Sequence, residues 1–294
     1  MSARPFEKLA VLGLGLLGGS VAAAARERGL ARHVVGAARR RGPLDQALEA
    51  GIVDSVASPL EAVIDADFVV LGTPVGSMSQ VIADVAENLA PGAIVTDVGS
   101  VKASVVDLLP GLLPEGVEFV GSHPMAGSHL RGPEHARADL FEGAMCVVTP
   151  RTDQEEGPVA RVEEFWRALG ARVTRRSPAT HDEEAAWVSH LPHLVAFAFA
   201  DSLLAAPTNV GQLAGSGFRD FTRIAQSDAE LWGEILNVNS KALSGPLAHF
   251  SESLSKLARM LEEGDIDGLE SLLSQARARL SEVAAAASEG PGED

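Results

Sequence analysis

The small residues of Gly121-Ser-His-Pro-Met-Ala-Gly127 follow a predicted strand, Glu118–Val120, and predict a turn that holds His123 as a reactive side chain. Shortly before it, the apolar stretch Ala93–Asp97 predicts a buried strand, which Ser100 and Lys102 follow directly. A free imidazole has a pKa near 6.5, so neutral His123 can accept a proton from a substrate hydroxyl. A hydride leaves the carbinol carbon more easily as that proton is removed. These residues predict redox chemistry on a small molecule; the alternative is a structural histidine that bonds a loop carbonyl.

A glycine-rich segment near the start of the chain predicts a dinucleotide site. Leu9–Leu12 reads as a strand, Gly13-x-Gly15-x-x-Gly18 follows it, and the alanine-rich stretch Val21–Arg28 reads as a helix. This order is the context that the dinucleotide fingerprint requires, because the helix N-terminus offers free N–H groups to a pyrophosphate. Without a ligand, the same pattern would be a tight strand-to-helix turn. The residues predicted to bind the cofactor lie in this loop, in the turn after the strand Phe68–Leu71 and near the reactive histidine. They are Gly13, Gly15, Leu16, Leu17, Gly18, Thr73, Pro74 and Ser100.

The end of the second predicted strand, His33–Gly36, bears on which nicotinamide cofactor is used. A carboxylate that binds the ribose 2′-hydroxyl of NAD is expected about 20 residues after the fingerprint. That place holds Ala37-Ala38 and then Arg39-Arg40-Arg41. Arginine side chains can grip a 2′-phosphate bidentately. The sequence therefore favours NADP over NAD, with Arg39 and Arg40 at the phosphate, unless arginine is simply the usual cation of a chain with 24 basic residues.

Strand and helix patterns alternate as far as residue 177, which predicts an α/β domain of the Rossmann type with a mainly parallel sheet. From Pro178 onward only helical patterns follow, and Leu194–Leu204 is apolar on nearly every face, which indicates burial between helices or subunits. The predicted domains are a dinucleotide-binding domain over 1–177, an all-α substrate-binding and dimerisation domain over 178–287, and a disordered tail over 288–294. The later predicted helices span 229–243, 247–263 and 266–287.

Two groups of side chains in the helical half suit an acidic substrate. Arg219 and Arg223 are four residues apart and share one face of a helix, where two guanidinium groups can bind carboxylates. Surface ion pairs with Asp or Glu are the alternative. The segment Ser189-His-Leu-Pro-His193 adds two imidazoles on an apolar helix. One of them is expected to pack in the interior and the other to face the cleft.

Composition excludes several classes of function. The chain of 294 residues carries 24 basic and 40 acidic side chains, so its net charge of −16 repels nucleic acids and anionic lipid surfaces. Met1–Lys8 has no apolar leader, no apolar run is expected to reach membrane-spanning length, and the lone Cys146 has no internal disulfide partner. We therefore expect a cytoplasmic protein without nucleic-acid or membrane partners.

Three histidines spaced by six residues, His123, His129 and His135, raise the question of a metal site. Intervals of six match neither a helix face nor the usual ligand spacings, and no cysteine or acidic cluster accompanies them. No metal is predicted.

Taken together, six collinear motifs resemble the prephenate/arogenate dehydrogenase family of tyrosine biosynthesis, and the resemblance covers most of the chain. The combination of GSHPMAG with SHLPH is specific, whereas the glycine fingerprint alone is not. The six motifs are Gly13–Ser20, Thr96–Lys102, Gly121–Gly127, His181-Asp182, Ser189–His193 and Gly217–Arg223.

The resemblance implies a homodimer in which the two domains enclose a cleft for a small-molecule substrate. In such an enzyme His123 takes the proton of the ring 4-hydroxyl of prephenate, hydride passes to NADP or NAD, and carbon dioxide leaves as the ring becomes aromatic. Ser100 hydrogen-bonds the same hydroxyl and orients the nicotinamide, and His181-Asp182 is a supporting or hinge pair. The substrate-binding residues that the resemblance implies are Arg223, Arg219, His193, Ser122 and His181.

Substrate choice stays open between two close candidates. A histidine at the position of His193 is typical of family members that use prephenate. The region around Arg39 is similar to that of members that use NADP, some of which prefer arogenate. An amino-substituted prephenate is a third candidate substrate. A β-hydroxyacid dehydrogenase would rely on a lysine in the helical half, where Lys241 and Lys256 lie outside any glycine-rich turn. A nucleotide sensor without catalysis is the remaining alternative.

Overall fold

The computed structural model describes residues 6–128 and 130–289. An eight-stranded sheet has the order β3-β2-β1-β4-β5-β6-β7-β8, and every neighbouring pair is parallel except β6 with β7. The predicted fold class is confirmed, and the first six strands have the strand order of dinucleotide-binding folds, with the switch point between β1 and β4. The strands are β1 Phe6–Leu12, β2 Ala31–Ala37, β3 Ser55–Ala57, β4 Phe68–Leu71, β5 Ile94–Asp97, β6 Glu118–Pro124, β7 Met145–Thr149 and β8 Arg172–Arg175.

Helices connect most of these strands, but a loop with a 3-10 turn, Pro133–His135, joins β6 to β7; after β8 the secondary structure of the described chain is helical. The sequence did not predict β3 or α2, and it placed a break inside α11, where Pro246 is accommodated in the helix. The helices are α1 Leu16–Glu27, α2 Arg41–Glu49, α3 Pro59–Val63, α4 Val75–Val85, α5 Ala103–Leu108, α6 Glu156–Ala168, α7 Pro178–Ala185, α8 Leu191–Ser202, α9 Ser216–Thr222, α10 Ala229–Val238, α11 Ser240–Glu263 and α12 Ile266–Glu289. A single π-helical turn, Ala186–His190, joins α7 to α8.

The sheet is buried on both faces. In β1, Leu9 and Val11 belong to one apolar cluster and Ala10 and Leu12 to the other, as alternate residues of a strand must. Helices on both sides cover these clusters, which explains why the parallel strands are continuous apolar runs. The carboxyl ends of β1, β4 and β5 therefore meet at one rigid edge.

The position of His123 differs from the sequence-based expectation of a turn. His123 lies within β6 and pairs with Val147 of the antiparallel strand β7. The small residues allow this pairing: a Cβ at Gly121 would lie 2.5 Å from the Thr149 hydroxyl. Pairing with β7 fixes the backbone of His123 on that side of the strand, whereas the pairing of β6 with β5 ends at Val120.

The chain forms two compact units, residues 1–240 and 241–294. The change from mixed to helical structure falls at the predicted boundary after residue 177, but the first helices beyond it belong to the same unit as the sheet. Of the predicted tail, residues 288 and 289 still belong to α12, and 290–294 lie outside the described residues.

One helical run, Pro178–Ala205, is long and apolar enough to cross a membrane by length and composition alone. The expectation that no apolar run reaches this length was therefore wrong. Apolar helices that pack against other protein have the same length and composition, so this run does not by itself indicate a membrane. Only 17% of its most apolar window is buried.

Candidate active site

The glycine-rich loop after β1 lies against the loop after β4. Gly13 has a φ of +106°, and a Cβ there would lie 2.7 Å from the backbone of Gly72. A Cβ on Gly18 would lie 1.9 Å from the Gly13 carbonyl oxygen, whereas one on Gly15 would meet nothing within 4 Å. Two glycines thus serve the close packing, and Gly15 leaves open space at the N-terminus of α1. This geometry fits a dinucleotide pyrophosphate.

The turn after β4 adds two features to the same edge. The hydroxyl oxygen of Thr73 is buried and has no hydrogen-bond partner among the described residues. The N–H of Gly76, at the start of α4, donates to a carboxylate oxygen of Glu234 on α10 at 2.5 Å. The Thr73 hydroxyl is therefore available to a bound ligand, and α10 is tied to the turn.

Arg39 and Arg40 lie immediately beyond the carboxyl end of β2 and are exposed. Neither forms an ion pair within the described part of the chain, whereas Arg41 lies 3.6 Å from Asp45. Two free guanidinium groups therefore stand at the end of β2, beside the glycine-rich loop.

A fully buried polar cluster lies beneath the edge of the sheet. The Lys102 ammonium pairs with the Asp97 carboxylate and donates to the Ser122 carbonyl at 3.0 Å. The Ser122 hydroxyl donates to the Asp97 carbonyl at 2.6 Å and accepts from the Trp166 indole at 2.9 Å. Such bonds are what a buried ion pair needs. The predicted substrate ligand Ser122 thus has a different role in the structure, because its hydroxyl is buried and joins β6 to β5.

His123 and two residues of α7 form a hydrogen-bonded chain. Nδ1 of His123 lies 2.8 Å from Nε2 of His181, and Nδ1 of His181 lies 2.8 Å from Oδ1 of Asp182. Burial, followed by the neighbouring His181, holds the pKa of His123 well below 6.5. His123 is neutral at pH 7 and can accept a proton. The predicted contact of His181 with substrate does not fit, since both of its ring nitrogens are engaged by protein groups.

His190, in the π-helical turn, lies behind this chain. Its Nδ1 accepts from the Asn239 side chain at 2.8 Å, and Nε2 has no partner among the described residues. Burial lowers the pKa of His190 to about 4, although Asp182 and the backbone of Ser100 act in the opposite direction. Ser100 itself is half-buried just after β5. As predicted, one of the two imidazoles near residue 190 packs in the interior.

The other imidazole, His193, stacks on Trp232 with ring centroids 3.5 Å apart and an angle of 16° between the planes. Its Nδ1 donates to the Ser189 carbonyl at 2.9 Å, which leaves Nε2 as an acceptor. Burial lowers the pKa of His193, and the positive charge of Arg223 contributes to the shift. Arg223 is exposed and forms no ion pair with any described residue. An aromatic face, a neutral imidazole and a free guanidinium therefore lie together.

Arg219 lies four residues before Arg223, but the two do not share one α-helix. The α-helix ends at Thr222, and Arg223 begins a 3-10 turn. The Arg219 guanidinium donates to the Ala214 carbonyl at 2.8 Å and is exposed. The structure therefore does not place Arg219 in the group around His193.

No group of three or more His, Cys, Asp or Glu side chains able to hold a metal ion occurs among residues 6–128 and 130–289. Of the three evenly spaced histidines, His129 lies outside the described residues. His135 is in the 3-10 turn Pro133–His135, outside β6, which holds His123.

Three site residues escaped the sequence analysis: Trp232, Glu234 and Asn239. All lie on or just after α10, which the sequence predicted only as part of a helix over 229–243. A tryptophan in a chain with 4% aromatic residues was the available signal. Their partners are tens of residues away in sequence, so nothing local revealed them.

A dinucleotide loop, a neutral buried imidazole at the carboxyl edge of the sheet and a cationic aromatic group together define a nicotinamide-dependent dehydrogenase. Two family profiles match the chain: the nucleotide-binding domain of prephenate dehydrogenase over residues 21–175 and the dimerization domain of prephenate dehydrogenase over residues 177–275. The chain belongs to the prephenate/arogenate dehydrogenase family.

Individual relatives agree with this assignment. Cyclohexadienyl dehydrogenase of Zymomonas mobilis is 33% identical over 282 residues, which cover 94% of this chain and 96% of the relative. The crystal structure of prephenate dehydrogenase from A. aeolicus with hydroxyphenyl propionate and NAD+ has a TM-score of 0.88 and 31% identity, and covers 96% of this chain and 99% of that one. Synechocystis arogenate dehydrogenase has a TM-score of 0.78 and 30% identity, with 94% and 99% covered. The protein is thus a dehydrogenase of the prephenate/arogenate type, an enzyme class of tyrosine biosynthesis.

Proposed function

We propose that the protein catalyses the oxidative decarboxylation of prephenate to 4-hydroxyphenylpyruvate with hydride transfer to a nicotinamide cofactor. The observation that carries this proposal is the state of His123. It is neutral, its Nδ1 is engaged by His181, and its Nε2 has no hydrogen bond to a described residue. Nε2 is therefore the one nitrogen of this ring that can receive a substrate proton.

The chemistry balances with a single base. Nε2 of His123 accepts the proton of the 4-hydroxyl as hydride leaves the carbon that bears it. The bond to the ring carboxylate then breaks, its electron pair completes the aromatic ring, and carbon dioxide departs. The proton returns from His123 to the ring oxygen, so no net proton is released. A nicotinamide cofactor would accept the hydride, and the loops after β1 and β4 would hold it.

Substrate recognition is assigned to the group around His193. Arg223 binds a carboxylate, because its guanidinium is free and a planar fork matches that anion. Trp232 and His193 offer a stacked aromatic surface beside it. Nε2 of His193 is an acceptor, which also suits the ammonium group of arogenate, so arogenate is the second candidate substrate.

NADP is proposed as the preferred cofactor. Support comes from Arg39 and Arg40, two exposed guanidinium groups without ion pairs to described residues, at the place where NAD-binding folds commonly carry an acid. Ala37 and Ala38 offer no carboxylate to repel a 2′-phosphate.

A homodimer is proposed, as the matched dimerization domain suggests. Apolar side chains recur every seven residues on each helix of the second compact unit and are between 39% and 70% exposed. A repeat of seven forms an apolar seam along a helix, which a second copy can cover. The repeating residues are Leu247, Leu254 and Leu261 on α11 and Ile266, Leu273 and Leu280 on α12.

One experiment tests the reaction and both specificities. Purified protein is mixed with prephenate or arogenate, each with NAD or NADP, and nicotinamide reduction is followed by absorbance. Prephenate with NADP should give the highest kcat/KM, and His123→Asn should abolish the signal with every pair. Reduction by His123→Asn at the wild-type rate would refute the role of the base.

A further inference from the structure

His181 and Asp182 are held by hydrogen bonds to several other groups besides His123. Asp182 accepts two backbone N–H groups at the start of α5, from Lys102 at 2.7 Å and from Ala103 at 2.9 Å. The side chain of Asn239 donates to the Asp182 carbonyl at 2.9 Å. The carboxylate is thus an acceptor at both oxygens and is fixed in place. An acceptor facing Nδ1 of His181 requires that nitrogen to carry a proton.

The proton positions along the chain follow from this anchor. With its proton on Nδ1, neutral His181 has a bare Nε2, which accepts a hydrogen bond. The ring nitrogen facing it, Nδ1 of His123, must then be the protonated one. Nε2 of His123 is left with its lone pair, which is the form that a general base needs.

The surrounding charges favour transfer of a proton from His123 to His181 along this hydrogen-bonded chain. His123 is 6% exposed, and burial disfavours a positive charge on it. His181 is equally buried, but its Nδ1 lies 2.8 Å from a carboxylate. A cation on His181 is therefore paired, whereas one on His123 is not.

We propose that His181 and Asp182 are positioning residues that fix the tautomer of His123 and carry the positive charge during turnover. When Nε2 of His123 accepts the substrate proton, the Nδ1 proton of His123 passes to Nε2 of His181. The resulting imidazolium is stabilised by Asp182, and the protons return along the same path when the ring oxygen is reprotonated. This inference rests on the proposed role of His123 as base.

The electrostatic surroundings of the pair are defined by few groups. Lys102 is neutralised by Asp97, and the pKa values of His190 and Cys146 are shifted by burial so that both are neutral at pH 7. Asp182 is therefore the nearest uncompensated charge. The titratable and charged groups that face His123 and His181 are Asp182, Lys102, Asp97, His190 and Cys146.

The first test needs no substitution. Nitrogen NMR of histidine-labelled protein reports which ring nitrogen of each imidazole is protonated, and assignment uses His123→Asn. Both His123 and His181 should be protonated at Nδ1 and bare at Nε2 at pH 7. A proton on Nε2 of His123 would overturn the inference.

The second test separates tautomer from charge. In His181→Gln the amide oxygen still accepts from Nδ1 of His123, but the side chain cannot take up a proton. We expect kcat to fall by about 10-fold or more while KM for the substrate is unchanged and the His123 tautomer persists. In Asp182→Asn the acid limb of the kcat profile should move to lower pH, because the cation loses its partner, and kcat should fall by about 10²–10³-fold.

Glu184→Gln is the matched control, since it removes an exposed carboxylate from the same helix and should leave kcat and its pH profile unchanged. Wild-type kcat in His181→Gln together with an inactive His123→Asn would overturn the relay alone. Absence of nicotinamide reduction by the wild-type protein with either substrate would instead overturn the proposed function.

Discussion

Acid should destabilise the protein through His190. Its ring is fully buried, and burial lowers its pKa from 6.5 to about 4. Between these values the unfolded chain binds a proton that the folded chain does not, so stability is lost as the pH falls below 6.5. The loss from this one group is about 2 kcal/mol at pH 5 and about 0.2 kcal/mol at pH 7.

The assay compares the wild-type protein with His190→Asn, whose amide oxygen can replace Nδ1 as the acceptor for Asn239. Free energies of unfolding are measured by urea denaturation at pH 7 and pH 5, with tryptophan fluorescence as the signal. Groups that titrate in both proteins cancel, so the wild-type protein should lose about 2 kcal/mol more than the variant. Equal losses, or an NMR titration midpoint of His190 near 6.5, would show that burial does not control this imidazole.

Four other expectations concern the cofactor, the substrate and the subunits. Gly15→Ala should weaken dinucleotide binding while thermal stability stays unchanged, whereas Gly18→Ala should lower both, because only its Cβ meets backbone; equal thermal shifts would contradict this. Arg39→Ala should weaken NADP and spare NAD in fluorescence titrations, and equal losses would exclude contact with the 2′ position. Arg223→Ala should cost about 2–5 kcal/mol in kcat/KM if a carboxylate loses its partner; unchanged kinetics would remove it from the site. Leu254→Glu should shift the mass measured by light scattering from dimer to monomer, and an unchanged mass would place the subunit contact elsewhere.

Features that depend on neighbouring residues were predictable from the sequence. The glycine loop, the alternation of strands and helices and the reactive histidine all have local signatures. Contacts between distant segments were not predictable. Nothing in the run around Ser122 shows that its hydroxyl faces Trp166, and nothing around His181 shows that it meets His123 from 58 residues away.

Short or irregular elements were also missed for physical reasons. The strand β3 has only three residues, too few for a period of two to appear. The π-helical turn shifts the helical register before His193. A helical wheel with regular α-helical geometry therefore assigns Ser189 and His193 to the wrong faces of the helix. The antiparallel pairing of β6 with β7 extended the strand past Val120, where small residues had indicated a turn.

Two residues of α10 that are two positions apart contact different parts of the molecule. Trp232 stacks on His193, while Glu234 holds the N–H of Gly76 in the turn after β4. A molecule that binds against the Trp232 indole contacts the same helix that restrains the turn after β4. Where binding against Trp232 displaces α10, thermodynamic linkage changes the affinity for that molecule and the affinity for the nucleotide by one common factor, whichever binds first.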